Sequence, residues 1–313
     1  MSRARQGELV LLGVTLIWGT TFVGVREMLS WGWPPFGLLA ARFGLAALPF
    51  LPSMLRPGAL DAATLRRGTI LGFLLFLGFG FQTLGLQWTT EGRSAFFTAF
   101  STVLVPFFAL VFLRRPPVSG TWLAILSGGA GIVLLLGQGV EGPPFHGDLF
   151  TIGCAVAFAV QILVLDAVAR GSRILPLTGV EMASTAVFGL VAAYFAGEDF
   201  GEVTAASLPL LLYLGIAATA LTLWGQVFGQ QRTTATRAAF LFALEPAFAA
   251  FFAWIVRGHG LGAAEWIGGG LVVLASIVAD RSFARFSNRL GGAGAGSRRG
   301  GDQPEGVPPA PSS

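Results

Sequence analysis

The chain has 313 residues, 54% of them hydrophobic and only 12% charged, with a mean hydropathy of +0.72. A soluble domain carries about 25% charged residues, so half that load excludes a soluble enzyme, a nucleic-acid-binding domain and a secreted disulfide scaffold. The net charge of +4 comes entirely from Arg, with no Lys, and most of these Arg residues stand between apolar runs, where they set membrane topology.

Apolar runs broken by charge or by Pro/Gly clusters predict an all-α integral membrane protein with ten transmembrane helices. The spans fall at about 8–29, 34–55, 68–88, 93–113, 118–137, 147–169, 176–196, 207–231, 235–256 and 263–280. The first run contains Trp18 and lacks an A-x-A cleavage site, so it reads as a span and not as a cleaved signal peptide. Connections of about 4 to 12 residues leave no room for an extramembrane domain. Residues 1–7 form a short N-terminus, and 282–313, Gly/Ala/Ser/Pro-rich from Gly291, are expected to be a disordered tail. The single Cys154 lies in an apolar run and permits no intrachain disulfide.

The positive-inside rule orients the bundle. With a cytoplasmic N-terminus, sixteen Arg residues fall inside and only Arg26, Arg93 and Arg257 outside, while Glu141, Asp148, Glu198, Asp199 and Glu202 occupy outer loops. Both termini are therefore expected in the cytosol of a protein of the cytoplasmic membrane.

A shift of 144 positions aligns spans three to five with spans eight to ten without a gap. Gln82 falls on Gln226, Gly85 on Gly229, Thr89-Thr90 on Thr233-Thr234, Arg93 on Arg237 and Trp122 on Trp266. In all, 14 positions match over roughly 63, where this composition gives about five by chance. At a shift of 139, Arg42 meets Glu181. The chain thus reads as two five-helix repeats, 8–140 and 141–281. Five is odd, so the second copy enters the membrane from the opposite side, and inverted repeats place a central site between their halves.

Ionisable groups inside a span cost about 2.5–3.5 kcal/mol and need a partner or a wet cavity. Glu245, about 15 Å into span nine and followed by Pro246, reads as a coupling or charge-recognition site. Arg42, about 12 Å into span two, and Glu181 in span seven have two readings each: charge recognition, or a side chain snorkelling to the headgroups. An Arg42–Glu245 or Arg42–Glu181 pair is a further option. Gly78, Gln82, Gly85 and Thr89 share one face of span three; Ser94, Thr98 and Ser101 one face of span four; Thr219, Thr222 and Gln226 one face of span eight. These faces, with Gln161 of span six, either line the substrate pathway or hydrogen-bond between helices. Trp18 is too deep for the interfacial belt and reads as a cavity wall or as packing, whereas Trp31, Trp33 and Trp88 read as belt residues. The runs Gly128-Gly129-Ala130-Gly131 and Gly268-Gly269-Gly270 read as close-packing surfaces.

Several stretches resemble the drug/metabolite transporter superfamily in its ten-helix EamA form. They are Trp18-Gly19-Thr20-Thr21-Phe22, Ala41-Arg42-Phe43, Leu84-Gly85-Leu86-Gln87-Trp88-Thr89-Thr90 leading into Arg93-Ser94-Ala95-Phe96, Leu244-Glu245-Pro246 and Trp266-Ile267-Gly268. The resemblance covers about residues 8 to 280. It implies export or exchange of small metabolites, including amino acids and drugs, by a secondary mechanism. Two positions depart from the family pattern: Arg114-Arg115-Pro116, where many members carry an acidic residue, and Glu181, where a neutral polar residue is common.

The expected function is therefore secondary transport by alternating access, as an exporter and in its most concrete form proton-coupled. The expected partners are a small-molecule substrate and the lipid bilayer, with no nucleic acid; monomer and homodimer both stay open. No cofactor or metal is expected. The alternatives are a channel and an integral-membrane lipid or prenyl transferase. The transferase would need a metal-binding carboxylate cluster or a His/Asp base; only His146 and His259 exist, and no D-x-x-x-D or H-x-x-x-D pattern occurs. Without Lys a Walker A sequence is impossible.

Overall fold

Asp61 shows how helix ends are decided. Hydropathy starts the third span at 68, yet the Asp61 carboxylate accepts from the Thr64 backbone N–H at 2.7 Å and caps a helix that begins at Ala62. A capping carboxylate satisfies an N–H that the helix itself leaves open, so the polar turn before the apolar run becomes helical too. Ser2, Thr90 and Thr234 cap three other helices in the same way. At the opposite ends, Gly197 and Gly258 take the left-handed conformation that stops a helix (φ 65° and 68°).

The computed structural model describes residues 2–113 and 145–258, with isolated helical positions at 122, 126–127, 130, 263, 266–267 and 270–271. The fifth and tenth expected spans, their glycine runs and the tail fall almost wholly outside the described residues. Within them, eight helices are long and apolar enough to cross a membrane. They are α1 (Arg3–Ser30), α2 (Pro35–Met54), α3 (Ala62–Gly85), α4 (Glu91–Phe112), α5 (Phe145–Ala169), α6 (Ile174–Ala196), α7 (Ser207–Gln230) and α8 (Ala235–Val256). Four are irregular. In α2 a 3₁₀ turn at Leu48–Phe50 contains Pro49, which has no N–H to donate. Two interruptions, at Phe100 in α4 and at Ala243–Leu244 in α8, stand 144 residues apart. Helix α7 is a π-helix over Tyr213–Leu221, where the Thr219 hydroxyl donates to the Leu214 carbonyl five residues back.

The packing repeats. Helix α3 lies on α5 and α6 as α7 lies on α1 and α2; α4 lies on α5 as α8 lies on α1. Helices α2 and α6 pack on each other across the middle, and so do α4 and α8. Glycine allows the closest crossings. A Cβ on Gly85, at the end of α3, would stand 2.9 Å from the Gly147 carbonyl near the start of α5. One on Gly229, at the end of α7, would stand 3.1 Å from the Gly7 carbonyl near the start of α1. Both pairs are therefore antiparallel. Arg26, near the end of α1, donates to the carbonyls of Leu86 and Thr89 just past α3, so α1 and α3 run the same way. Helix α5 then opposes α1, and the second set of helices is inverted relative to the first.

Two expectations shift. Trp33 is not a belt residue: it is 3% exposed and packs over Gly201, whose missing side chain leaves room for the indole. Trp31 and Trp88 are exposed as belt residues are. Asp148, expected in an outer loop, belongs to the first turn of α5.

Candidate functional site: a cavity between the two halves

One cavity lies where α1, α3, α4, α5, α7 and α8 meet, with about 470 Å³ of empty space counting its open mouth. Its lining reflects the repeat. Trp18 and Ile162, Phe79 and Leu223, Gln82 and Gln226, Thr98 and Phe242, and Ser101 and Glu245 all line it, and each pair is 144 residues apart. A void lined by equivalent positions of both halves sits on their pseudo-two-fold axis, where a central site belongs.

The helix interruptions place its polar atoms. Ser101 and Glu245 are each the first residue of the helix that resumes after the break. A first helical turn carries open N–H groups and the positive end of the macrodipole, a setting that suits the Glu245 carboxylate. Pro246 follows at a position where a helix needs no N–H. Among the described residues Glu245 is the only ionisable side chain in the lining.

Aromatic rings make the apolar walls. Trp18 donates its indole N–H to the Thr222 hydroxyl at 2.9 Å and packs on Phe242 with ring centroids 5.1 Å apart. Phe79 meets Phe158 edge to face at 5.0 Å. Gly19, beside Trp18, lets α1 touch α8: a Cβ there would come within 2.6 Å of the Phe248 Cβ.

Hydrogen bonds order the amides. Gln82 donates to the Thr98 hydroxyl at 3.3 Å, and Thr98 lies 3.7 Å from the Cys154 sulfur. On the other side, Gln161 donates to the Glu181 carboxylate at 3.2 Å and accepts from Gln226 at 3.1 Å. Glu181 is thus one side chain behind the cavity wall, joined to it through Gln161.

Arg42 stands behind the wall as well. It is 2% exposed; its Nε donates to the Thr219 hydroxyl at 2.6 Å, and one terminal nitrogen reaches the Ala218 carbonyl at 3.4 Å. Both partners lie in the π-helical stretch of α7. The guanidinium lies 4.8 Å from the Phe79 ring centroid, so that ring separates it from the cavity. Neither sequence-expected ion pair, Arg42–Glu245 or Arg42–Glu181, is present; Arg42 is satisfied by a hydroxyl and a carbonyl instead.

Of the residues expected on the pathway, Trp18, Gln82, Thr98, Ser101, Gln161, Gln226 and Glu245 line the cavity, while Arg42 and Glu181 stand behind it. Thr21, Phe79, Phe158 and Phe242 were not singled out as wall residues. The repeat could have found one of them, since Phe242 is the counterpart of Thr98.

Two interhelical ion pairs flank the cavity. Arg93 grips Asp148 with two nitrogens, at 2.8 and 2.5 Å, tying α4 to α5. Arg237, the repeat counterpart of Arg93, meets Glu8 at 2.6 Å and ties α8 to α1. Among the described residues no group of three or more His, Cys, Asp or Glu could hold a metal ion.

The EamA-like transporter family model matches residues 5–137 and again 145–279. An uncharacterized transporter of Archaeoglobus fulgidus is 30% identical over 282 residues, 87% of this chain and 84% of that protein. The uncharacterized transporter YoaV of Bacillus subtilis is 23% identical over 78% of this chain and 86% of its own. One protein crystal structure superposes with a TM-score of 0.71 over 90% of this chain and 99% of the other; at 18% identity it shows the shared fold alone.

Proposed function

The chain belongs to the EamA-like transporter family, and from that premise we propose that this membrane transporter works as a secondary exporter of a small metabolite by alternating access. The observation that carries the reading is the cavity lined by five residue pairs that the 144-residue shift relates. Two inverted copies, divided near residues 140 and 141, can exchange conformations, so that one central site opens to either side in turn. The Arg93–Asp148 and Arg237–Glu8 pairs, at opposite ends, suit latches that close one mouth while the other opens. The Arg asymmetry supports a cytoplasmic-membrane protein with both termini inside.

Glu245 is the residue best placed to couple transport to protons, since an intramembrane carboxylate marks an ion or substrate pathway. The test is counterflow in proteoliposomes preloaded with a panel of metabolites, amino acids and drugs. A carrier accumulates labelled substrate transiently against a preloaded pool. Flux with no counterflow would point to a channel, and no flux for any compound would sink the transport reading.

A further inference from the structure

Resting on the cavity as the substrate site, we propose that it selects a primary ammonium group carried on an apolar body. The argument starts with hydrogen-bond direction. The Gln161 amide N–H donates to the Glu181 carboxyl group, and the Gln161 carbonyl accepts from the Gln226 amide. The amides run one way, and the Gln226 carbonyl oxygen at the end of the run is buried with no hydrogen-bond partner. Gln226 lines the cavity and is 2% exposed. A buried acceptor without a donor is costly, and a ligand that brings the donor removes that cost.

The second observation is charge. Among the described residues Glu245 supplies the one carboxylate of the lining, and the Arg42 guanidinium stands outside that lining, bonded to Thr219 and packed on Phe79. The cavity therefore offers a counter-charge to a cation and none to a carboxylate. Trp18, Phe79, Phe158 and Phe242 give it aromatic faces that attract cations and bury apolar groups. An ammonium carries three N–H donors and one positive charge, which matches one open carbonyl and one carboxylate; a quaternary ammonium has the charge but no donors.

The experiment is equilibrium binding to the full chain in lipid nanodiscs, using 2-phenylethylamine, its N,N,N-trimethyl analogue, 3-phenylpropionate and phenylalanine. Phenylethylamine should bind at least tenfold tighter than the other three. Glu245→Gln should abolish its binding. Glu181→Leu, which releases the amide run from its anchor, should reduce the preference for the primary amine over its trimethyl analogue at least threefold. Both variants must keep the wild-type melting temperature within a few degrees; for one that does not, Gln226→Leu replaces it, with the trimethyl preference as the readout. Equal or tighter binding of the propionate or the zwitterion, no binding of the amine, or an unchanged trimethyl preference in the relay variant each overturns the proposal. Counterflow of a non-amine substrate alongside any of these would leave the transport reading standing and remove only the ammonium.

Discussion

Arg26 and Arg170 stand 144 residues apart and make the same contact at opposite ends of the bundle. Arg26 donates to the Thr89 carbonyl at 2.9 Å and Arg170 to the Thr233 carbonyl at 3.5 Å, and Thr89 and Thr233 are themselves 144 apart. Each Arg pins the corner between two helices onto the end of a third. Duplicated contacts with reversed direction are what an inverted arrangement requires of its corners.

That arrangement makes a labelling prediction. Arg67 donates to Ser172 at 3.0 Å and Arg173 lies 3.8 Å from Asp61, so residues 61 and 172 share one end of the bundle. In a Cys154→Ser background, Asp61→Cys and Ser172→Cys should react with a membrane-impermeant maleimide only from the cytosolic side. Ser30→Cys, at the other end of α1, should react only from outside. Opposite sidedness for 61 and 172 would contradict the fold.

The Arg93–Asp148 pair is nearly buried and held by two hydrogen bonds. Removing one partner leaves a buried charge, so Asp148→Ala should destabilise the protein by about 3 kcal/mol. The Arg93→Ala/Asp148→Ala double variant should lose less than the sum of the single ones. Additive losses in melting experiments in detergent would show that the pair is uncoupled. Glu8→Ala, at the more exposed counterpart, should cost less than about 1 kcal/mol.

Glu245→Gln keeps the shape of the side chain and removes its titratable proton. Uptake driven by a pH gradient should therefore disappear in this variant. Retained pH-driven uptake in this variant would take Glu245 out of the coupling role.

Asp61 lies outside the spans, and its pKa is lowered first by the hydrogen bond from the Thr64 backbone N–H. A carboxyl whose folded pKa is depressed stabilises the fold above its unfolded pKa of about 3.9 and loses that contribution as pH falls through the folded value. Asp61→Ala should therefore melt below the wild type at pH 7, with the gap closing under acid. A gap that stays constant down to pH 3 would show that the cap's charge is irrelevant.

The helices were legible because an apolar run of about twenty residues has few alternatives in a bilayer. The cavity was legible through Gln82 and Gln226, polar residues whose matched positions survive in a biased composition. The partner of Arg42 was not legible, because its hydroxyl acceptor, Thr219, lies 177 residues away in a π-helical stretch that no local pattern announces. Trp33 was placed in the belt for the same kind of reason: its burial depends on a glycine 168 residues further along. Hydrophobic periodicity reports which face turns inward, but not which atom it meets there.

The nine π-helical residues of α7 have no twin, since the positions 144 earlier form an ordinary α-helix within α3. A wider, looser coil on one side alone gives the duplicated bundle unequal springs. If the halves exchange shapes as proposed, the two resting shapes then differ in free energy, and one doorway is favoured even when solute is equal on both sides.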